Sequence, residues 1–477
     1  MERKSGVLMH ISSLPGKYSI GSFGKEAREF VDKICNMGFS YWQVLPLGLT
    51  DDFNSPYKSY SAFAGNPYFI DLEILMTEGL LTKEELNRDE QETPYICEFE
   101  KLKKTRIDIL KKASKREKNT KEIENFINNN LKLKEFCIYM ALKEANHGLP
   151  WYEWKISSYE EETLFLWEFI QYNFFKQWSE LKVYANSKGI KIIGDIPIYV
   201  SLDSSDVWAN KELFLIDENN IPKGVAGVPP DYFSPDGQLW GNPIYDWDKM
   251  KKDNFSWWKE RFFHSFKMFD GVRIDHFRGI ESFWSVPFGA KTAKEGKWEK
   301  GPSLDFVNMI NKIKGDKLVI AEDLGEITED VIKLVEKSGF PGMRVFQFGF
   351  LGNDDNPHKP HNYQKNIIAY SGTHDNNTLL GYIWELDSVQ RKNMFEYCGC
   401  FEDDFKKGYD GVIRTLFRSH ADILILPIQD ILCFGSDTRL NTPGKAEGNW
   451  QYRVTSEQLA SIDSDKFKRL NKLYNRD

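Results

Sequence analysis

The chain lacks long apolar runs, a cysteine framework and a dominant charge, and each lack removes a class of function. None of its 477 residues falls in an apolar stretch approaching the ~20 residues of a membrane-spanning helix, and Met1-Glu2-Arg3-Lys4-Ser5-Gly6 is not the start of a secretory signal. A soluble, cytoplasmic protein with no membrane partner is expected. Six cysteines (Cys35, Cys97, Cys137, Cys398, Cys400 and Cys433) form no CxxC pair and are too sparse for a disulfide framework, so they read as free thiols. No metal and no cofactor is expected. A net charge of −8, spread over 71 acidic and 63 basic residues, gives no electrostatic footprint for nucleic acid. With 41% hydrophobic residues the chain can bury a large core, which excludes disorder. What is abundant is aromatic: 34 Phe, 21 Tyr and 14 Trp, either packed in that core or presented as flat platforms for ligands.

Short β-rich apolar segments begin near residues 6, 41, 190, 271, 317, 343, 367 and 422, separated in several places by amphipathic stretches. Apolar strands alternating with helices describe a parallel sheet covered on both faces, and eight of them predict an α/β fold, a closed (β/α)8 TIM barrel over residues 1–477. Two intervals are too long for single βα units. Residues 73–165, rich in Lys, Glu, Leu and Asn, predict a mostly helical subdomain whose lysine runs are solvated helix faces. Residues 201–250, dense in Gly, Pro and aromatics, predict an aromatic loop over the barrel mouth. Too few residues follow the eighth strand for a C-terminal β-sandwich.

In such a barrel, chemistry sits at the C-terminal strand ends. Three strands end in acids: Arg273-Ile-Asp275-His276, Ala321-Glu322-Asp323 and Thr373-His374-Asp375-Asn376. Arg273 and Asp275 are two apart and share a face of their strand. One reading is an ion pair inside the barrel. The other is a nucleophile kept ionised by its arginine, with Glu322 kept protonated by the neighbouring Asp275 charge and Asp375 free to hold hydroxyls, an arrangement suited to a glycosidic bond. His10 and Asp323 read as internal hydrogen-bonding groups, and Asp195, Asp203 and Asp206 form no calcium-loop pattern.

Arg273-Ile-Asp-His-Phe-Arg-Gly, Ile320-Ala-Glu-Asp-Leu-Gly and Gly372-Thr-His-Asp-Asn-Asn-Thr closely resemble motifs of the amylomaltase-type 4-alpha-glucanotransferases, the disproportionating enzymes of glycoside hydrolase family 77. So do Ser12-Ser-Leu-Pro-Gly, Ser55-Pro-Tyr-Lys, Gly194-Asp-Ile-Pro-Ile-Tyr-Val, Gly237-Gln-Leu-Trp-Gly-Asn-Pro and Gly448-Asn-Trp-Gln-Tyr-Arg. The resemblance implies Asp275 as nucleophile, Glu322 as general acid/base and Asp375 as transition-state stabiliser. It further implies sugar contacts from Arg273, His374, Tyr57, Ser55 and Asn449, with Asp195, Gln238 and Trp240 on the acceptor side. Lys58 and Lys445 depart from the family pattern. The implied reaction is retaining transfer of α-1,4-glucan segments (maltodextrins, starch or glycogen fragments) to the 4-hydroxyl of another glucan through a glycosyl-aspartate. The protein would be a monomer or homodimer, and the alternative is an α-amylase-type hydrolase using the same three acids. Tyr57, Tyr232, Phe233, Trp240 and Trp450 are then expected to line the sugar groove, and Trp167, Trp178, Trp257 and Trp258 to be core.

Overall fold

The computed structural model describes residues 2–230, 234–350, 355–445 and 447–477. Its strands, in chain order, are β1 (Lys4–Leu8), β2 (Tyr41–Gln43), β3 (Lys191–Ile196), β4 (Gly224–Val228), β5 (Gln238–Pro243), β6 (Gly271–Ile274), β7 (Ser282–Pro287), β8 (Lys297–Lys300), β9 (Leu318–Ala321), β10 (Gly342–Val345), β11 (Ile367–Tyr370) and β12 (Ile423–Pro427).

Eight of these form one parallel sheet in the order β10-β11-β12-β1-β2-β3-β6-β9. They are the eight apolar segments read from the sequence, and the fold is the expected (β/α)8 TIM barrel. The physical reason they were legible is burial on both faces: every residue of β6, β11 and β12 is buried, so apart from Arg273 on β6 these strands consist of apolar residues and glycine. Among the described residues the ring closes between β9 and β10 without a ladder. Ala321 N–H donates to Pro341 O at 2.9 Å, and beyond it the Asp323 carboxylate accepts from Met343 N–H (2.6 Å) and from Arg344 Nη1 (2.9 Å). A Cβ on Gly342 would stand 2.6 Å from Asp323 Oδ2, so a residue without a side chain is required for this approach.

Between β2 and β3 the chain forms helices Leu72–Thr77, Lys83–Leu86, Phe99–Arg116, Thr120–Asn128 and Leu131–Ala145 before the long helix Glu161–Ser187 returns it to the barrel. In Phe99–Arg116 the buried positions Leu102, Arg106, Ile109, Leu110 and Ala113 recur at helical spacing, and the lysines occupy the other face.

Residues 201–250 differ from the expected loop. They contain helix Ser205–Ala209 and strands β4 and β5, which join β7 and β8 in a second, antiparallel sheet ordered β5-β4-β7-β8. This side sheet has a core of its own in Val225, Val286 and Ala293, too small to leave a strong apolar signature. Tyr232 and Phe233, expected in the groove wall, lie outside the described residues. Among the described residues no strand follows β12, and helices Ser456–Ala460 and Ser464–Leu473 pack on the barrel. Trp167, Trp178, Trp257 and Trp258 are buried in the main core, as expected.

Candidate active site

Strand register brings the charged side chains together. In the β3–β6 ladder Asp195 is directly opposite Arg273, and in the β6–β9 ladder Ile274 is opposite Ala321. Asp275 and Glu322 therefore follow at the same level on adjacent strands, whose spacing is about 4.8 Å. Val272 and Ile274 point the other way into the helix layer and are fully buried.

Arg273 organises the base of the site. Its Nη2 donates to Asp275 Oδ1 at 2.8 Å, to Asp195 Oδ2 at 2.8 Å and to the Tyr57 hydroxyl at 3.1 Å, while Nε donates to Asp195 Oδ2 at 3.1 Å. Tyr57 in turn donates its hydroxyl to Asp195 Oδ2 at 2.7 Å. Arg273 is paired both with the buried Asp195 and with Asp275 at the strand end. Desolvation opposes the guanidinium charge, but Asp195, Tyr57, Asp275 and Glu322 outweigh it and hold Arg273 firmly protonated. The Asp195 side chain is wholly buried, whereas that of Asp275 is 30% exposed. Asp195 is thus held in a buried set with Tyr57 and Arg273.

The backbone turns sharply after Asp275. His276 adopts a left-handed conformation (φ 52°), uncommon for a residue with a side chain, and its N–H donates to Glu322 Oε2 at 2.7 Å. Leu324 N–H donates to Oε1 at 2.8 Å, so both oxygens of Glu322 are oriented by main chain. Those two bonds favour the carboxylate, as does Arg273. Desolvation, followed by the Asp275 charge, acts the other way and prevails, pushing Glu322 up to about 8. A group raised above its ordinary value near 4.5 stabilises the fold least where it is forced to ionise. The contribution is fully present below about 4.5 and lost as pH rises through about 8. The Tm of Glu322→Gln relative to the parent is therefore expected to rise between pH 5 and pH 8, from a deficit near pH 5 set by the amide NH₂ meeting a main-chain N–H; calorimetry across that range checks it.

Asp375 lies after β11. His374 Nε2 is 3.3 Å from Asp375 Oδ2, and Asn441 Nδ2 donates to Oδ1 at 2.6 Å. Desolvation would raise this carboxyl, but His374, Asn441 and Arg273 outweigh it and hold Asp375 down at about 2. The site therefore holds one acid kept protonated near neutrality and one kept ionised. Asn441 and Arg439, whose Nη2 donates to Asp375 O at 2.6 Å, were missed by sequence reasoning. They lie more than sixty residues from Asp375 and carry no local pattern. Removing a hydrogen bond to a charged group costs about 1.5–3 kcal/mol, so Asn441→Ala is expected to lower kcat/KM by roughly ten- to a hundredfold and to raise the acid limb of the pH profile.

The aromatic residues line this set as expected, in part. Tyr57 stacks on His374 (5.1 Å between centroids, 18° between planes), and Trp450 lies 5.9 Å from His374 and 6.0 Å from Tyr57. Trp450 is buried, which makes it a backing for those rings more than an open platform. Trp240 packs edge-on to His276 at 4.8 Å, and Gln238 Oε1 accepts from its Nε1 at 3.1 Å. Ser55 and Asn449 are brought to the mouth, but their side chains are engaged locally. Ser55 Oγ accepts from Tyr57 N–H at 3.3 Å, and Asn449 accepts from Thr442 N–H at 2.8 Å while donating to Lys445 O at 2.8 Å. They shape the loops that present Tyr57 and Trp450. His10 is internal, its Nδ1 accepting from Leu45 N–H. Asp203 is engaged by Tyr139, Lys143 and Trp151 N–H, and Asp206 by Ala62 N–H.

Known proteins share this arrangement of sequence and fold. The family profile described as 4-alpha-glucanotransferase matches residues 9–459. The chain is 44% identical to the 4-alpha-glucanotransferase of Clostridium butyricum over 98% of its length and 100% of that protein, and 44% identical to that of Streptococcus pneumoniae over 100% and 98%. Its structure is similar to an amylomaltase from Streptococcus agalactiae in complex with acarbose, with a TM-score of 0.96 and 39% identity over the whole of both chains.

Proposed function

The chain belongs to the 4-alpha-glucanotransferase family and has that activity on glucans, and we propose that it transfers α-1,4-glucan segments with retention through a covalent glycosyl-aspartate. The observation that supports this reading is the placement of Asp275 and Glu322 on adjacent strand ends at one level, with Arg273 on the first and two backbone N–H groups on the second.

Glu322, protonated, gives its proton to the departing glucan oxygen as Asp275 Oδ attacks the anomeric carbon. The glycosidic C–O bond breaks and the Asp275–sugar ester forms. Esterification removes the Asp275 charge that, after desolvation, helped hold Glu322 up, so the acid falls towards its ordinary range and becomes the base that takes the proton from the incoming 4-hydroxyl as its oxygen bonds the anomeric carbon and the ester C–O bond breaks, restoring the Asp275 carboxylate. Asp375, ionised throughout, holds sugar hydroxyls and favours the oxocarbenium-like transition state. Tyr57, stacked on His374, is the flat floor for the sugar at the cleavage point. Gln238 and Trp240 at the start of β5 border the acceptor path, and an ordered acceptor there gains over water through orientation. Incubation with maltotriose, following products and reducing ends together, tests this. Glucose and a ladder of longer maltodextrins at a constant number of reducing ends are expected; a steady rise in reducing ends would favour the hydrolase instead.

A further inference from the structure

The loop that carries Asp275 does not end at the barrel. After the single turn Phe277–Ile280 it runs directly into β7, so the segment after the nucleophile is also a strand of the side sheet. Between the two lies Arg278, which has no part in the chemistry described above. Its side chain is buried, and its guanidinium carbon stands 3.8 Å from the ring centroid of Trp298 on β8. Its Nη1 donates to Glu326 O at 2.6 Å, in the loop that follows Glu322. Trp298 is fixed in turn by Trp284, its cross-strand partner on β7, at 5.2 Å and 70°, and Trp284 Nε1 donates to Ala293 O at 2.8 Å. A cation held against a ring face and desolvated is a strong contact, and here it ties three elements: the nucleophile loop, the acid/base loop and the side sheet. A second tie from the same sheet is Trp240 on the His276 ring.

We infer that Arg278 is a positioning residue, which with Trp298 clamps the side sheet onto both catalytic loops and fixes the spacing of Asp275 and Glu322. This inference rests on the roles of those two acids given above. Close to the barrel the two loops are already stitched by backbone: Glu322 N–H donates to Ile274 O and Phe277 N–H to Glu322 O, each at 3.1 Å. Arg278 supplies the outer tie, at Glu326, where among the described residues no backbone ladder links the loops. Losing it lets the Glu322 loop tilt away and water enter between the acids.

The groups facing Glu322 are Asp275, Arg273 and the N–H groups of His276 and Leu324; Asp323 is turned to Met343 and Arg344 on the seam side. The charges acting on Arg278 are Glu326 and Glu281. Since desolvation and Asp275 hold Glu322 up, loosening the clamp lowers it, and the basic limb of the pH–rate profile moves towards acid. The experiment is transfer from maltotriose by the full-length protein and by Arg278→Lys, Arg278→Met and Trp298→Leu, with kcat, KM and the basic limb measured for each. The parent is expected to lose activity above about pH 8. Arg278→Met and Trp298→Leu are expected to shift that limb at least half a unit towards acid and to lower kcat tenfold or more with donor KM within threefold; Arg278→Lys, keeping the charge but not the planar fork, is expected to fall between. Trp298 is 39% exposed, so its variant keeps the fold if Arg278→Met does not. An unmoved limb in folded variants overturns the inference, as does a change in KM alone, which would make Trp298 a sugar contact. Absence of any basic limb in the parent would instead overturn the assignment of Glu322.

Discussion

Asp275→Asn is expected to suppress transfer by about 10⁵-fold, the equivalent of roughly 7 kcal/mol of transition-state stabilisation, with the protein still folded. An amide keeps the shape and can still meet Arg273 Nη2 through its oxygen, but it cannot capture the anomeric carbon as an ester. It also takes away the charge that helps to raise Glu322, so the residual activity should have a basic limb lower than the parent's. Single-turnover assays with maltotriose, read beside circular dichroism, check this. Activity within tenfold of the parent would show that the aspartate is not the nucleophile.

Glu322→Gln is expected to have the second largest effect, about 10³–10⁴-fold on maltotriose, the upper range of general acid–base catalysis. The loss should depend on the leaving group. A glucan alkoxide needs the proton; fluoride does not. With α-maltosyl fluoride as donor the first half-reaction should largely survive and the second should become limiting, so the covalent intermediate accumulates and is visible by mass spectrometry as an adduct on Asp275. Equal losses for both donors would separate Glu322 from protonation of the leaving group. The variant should also lack the basic limb near pH 8. Main-chain donors from His276 and Leu324 meet a glutamine amide less well than a carboxyl, since its NH₂ cannot accept, and that mismatch sets the floor of the measured effect.

The barrel strands and the three acids were legible because their physics is local. A parallel strand buried on both faces is apolar except where a side chain is paired inside the barrel, so β12, Ile423-Leu-Ile-Leu-Pro427, declares itself, and an acid ending such a strand has few places to be but the mouth. The side sheet was not legible for the opposite reason. β4 is Gly224-Val-Ala-Gly-Val, β5 is Gln238-Leu-Trp-Gly-Asn-Pro and β8 is Lys297-Trp-Glu-Lys: short strands, β4 buried but β5 and β8 largely exposed, over a core of a few residues, in which glycine and polar residues read as loop. Ser55 and Asn449 show a different limit. Their motifs imply sugar contacts, and what the structure adds is the bond each makes within its own loop, which the spacing of residues in the sequence does not encode. Trp450 is a further case, since its left-handed backbone (φ 66°) turns the ring inward to back His374 and Tyr57.

The unladdered join between β9 and β10 has a mechanical meaning. A ring held by seven ladders and one spot-weld is a split ring, and a split ring yields at its gap. Ala321, whose N–H makes the weld, immediately precedes Glu322, and Asp323, which spans the gap, immediately follows it. Glu322, for which we propose the acid/base role, is thus mounted on the lip of the split. Asp275 directly follows β6, which is laddered on both sides.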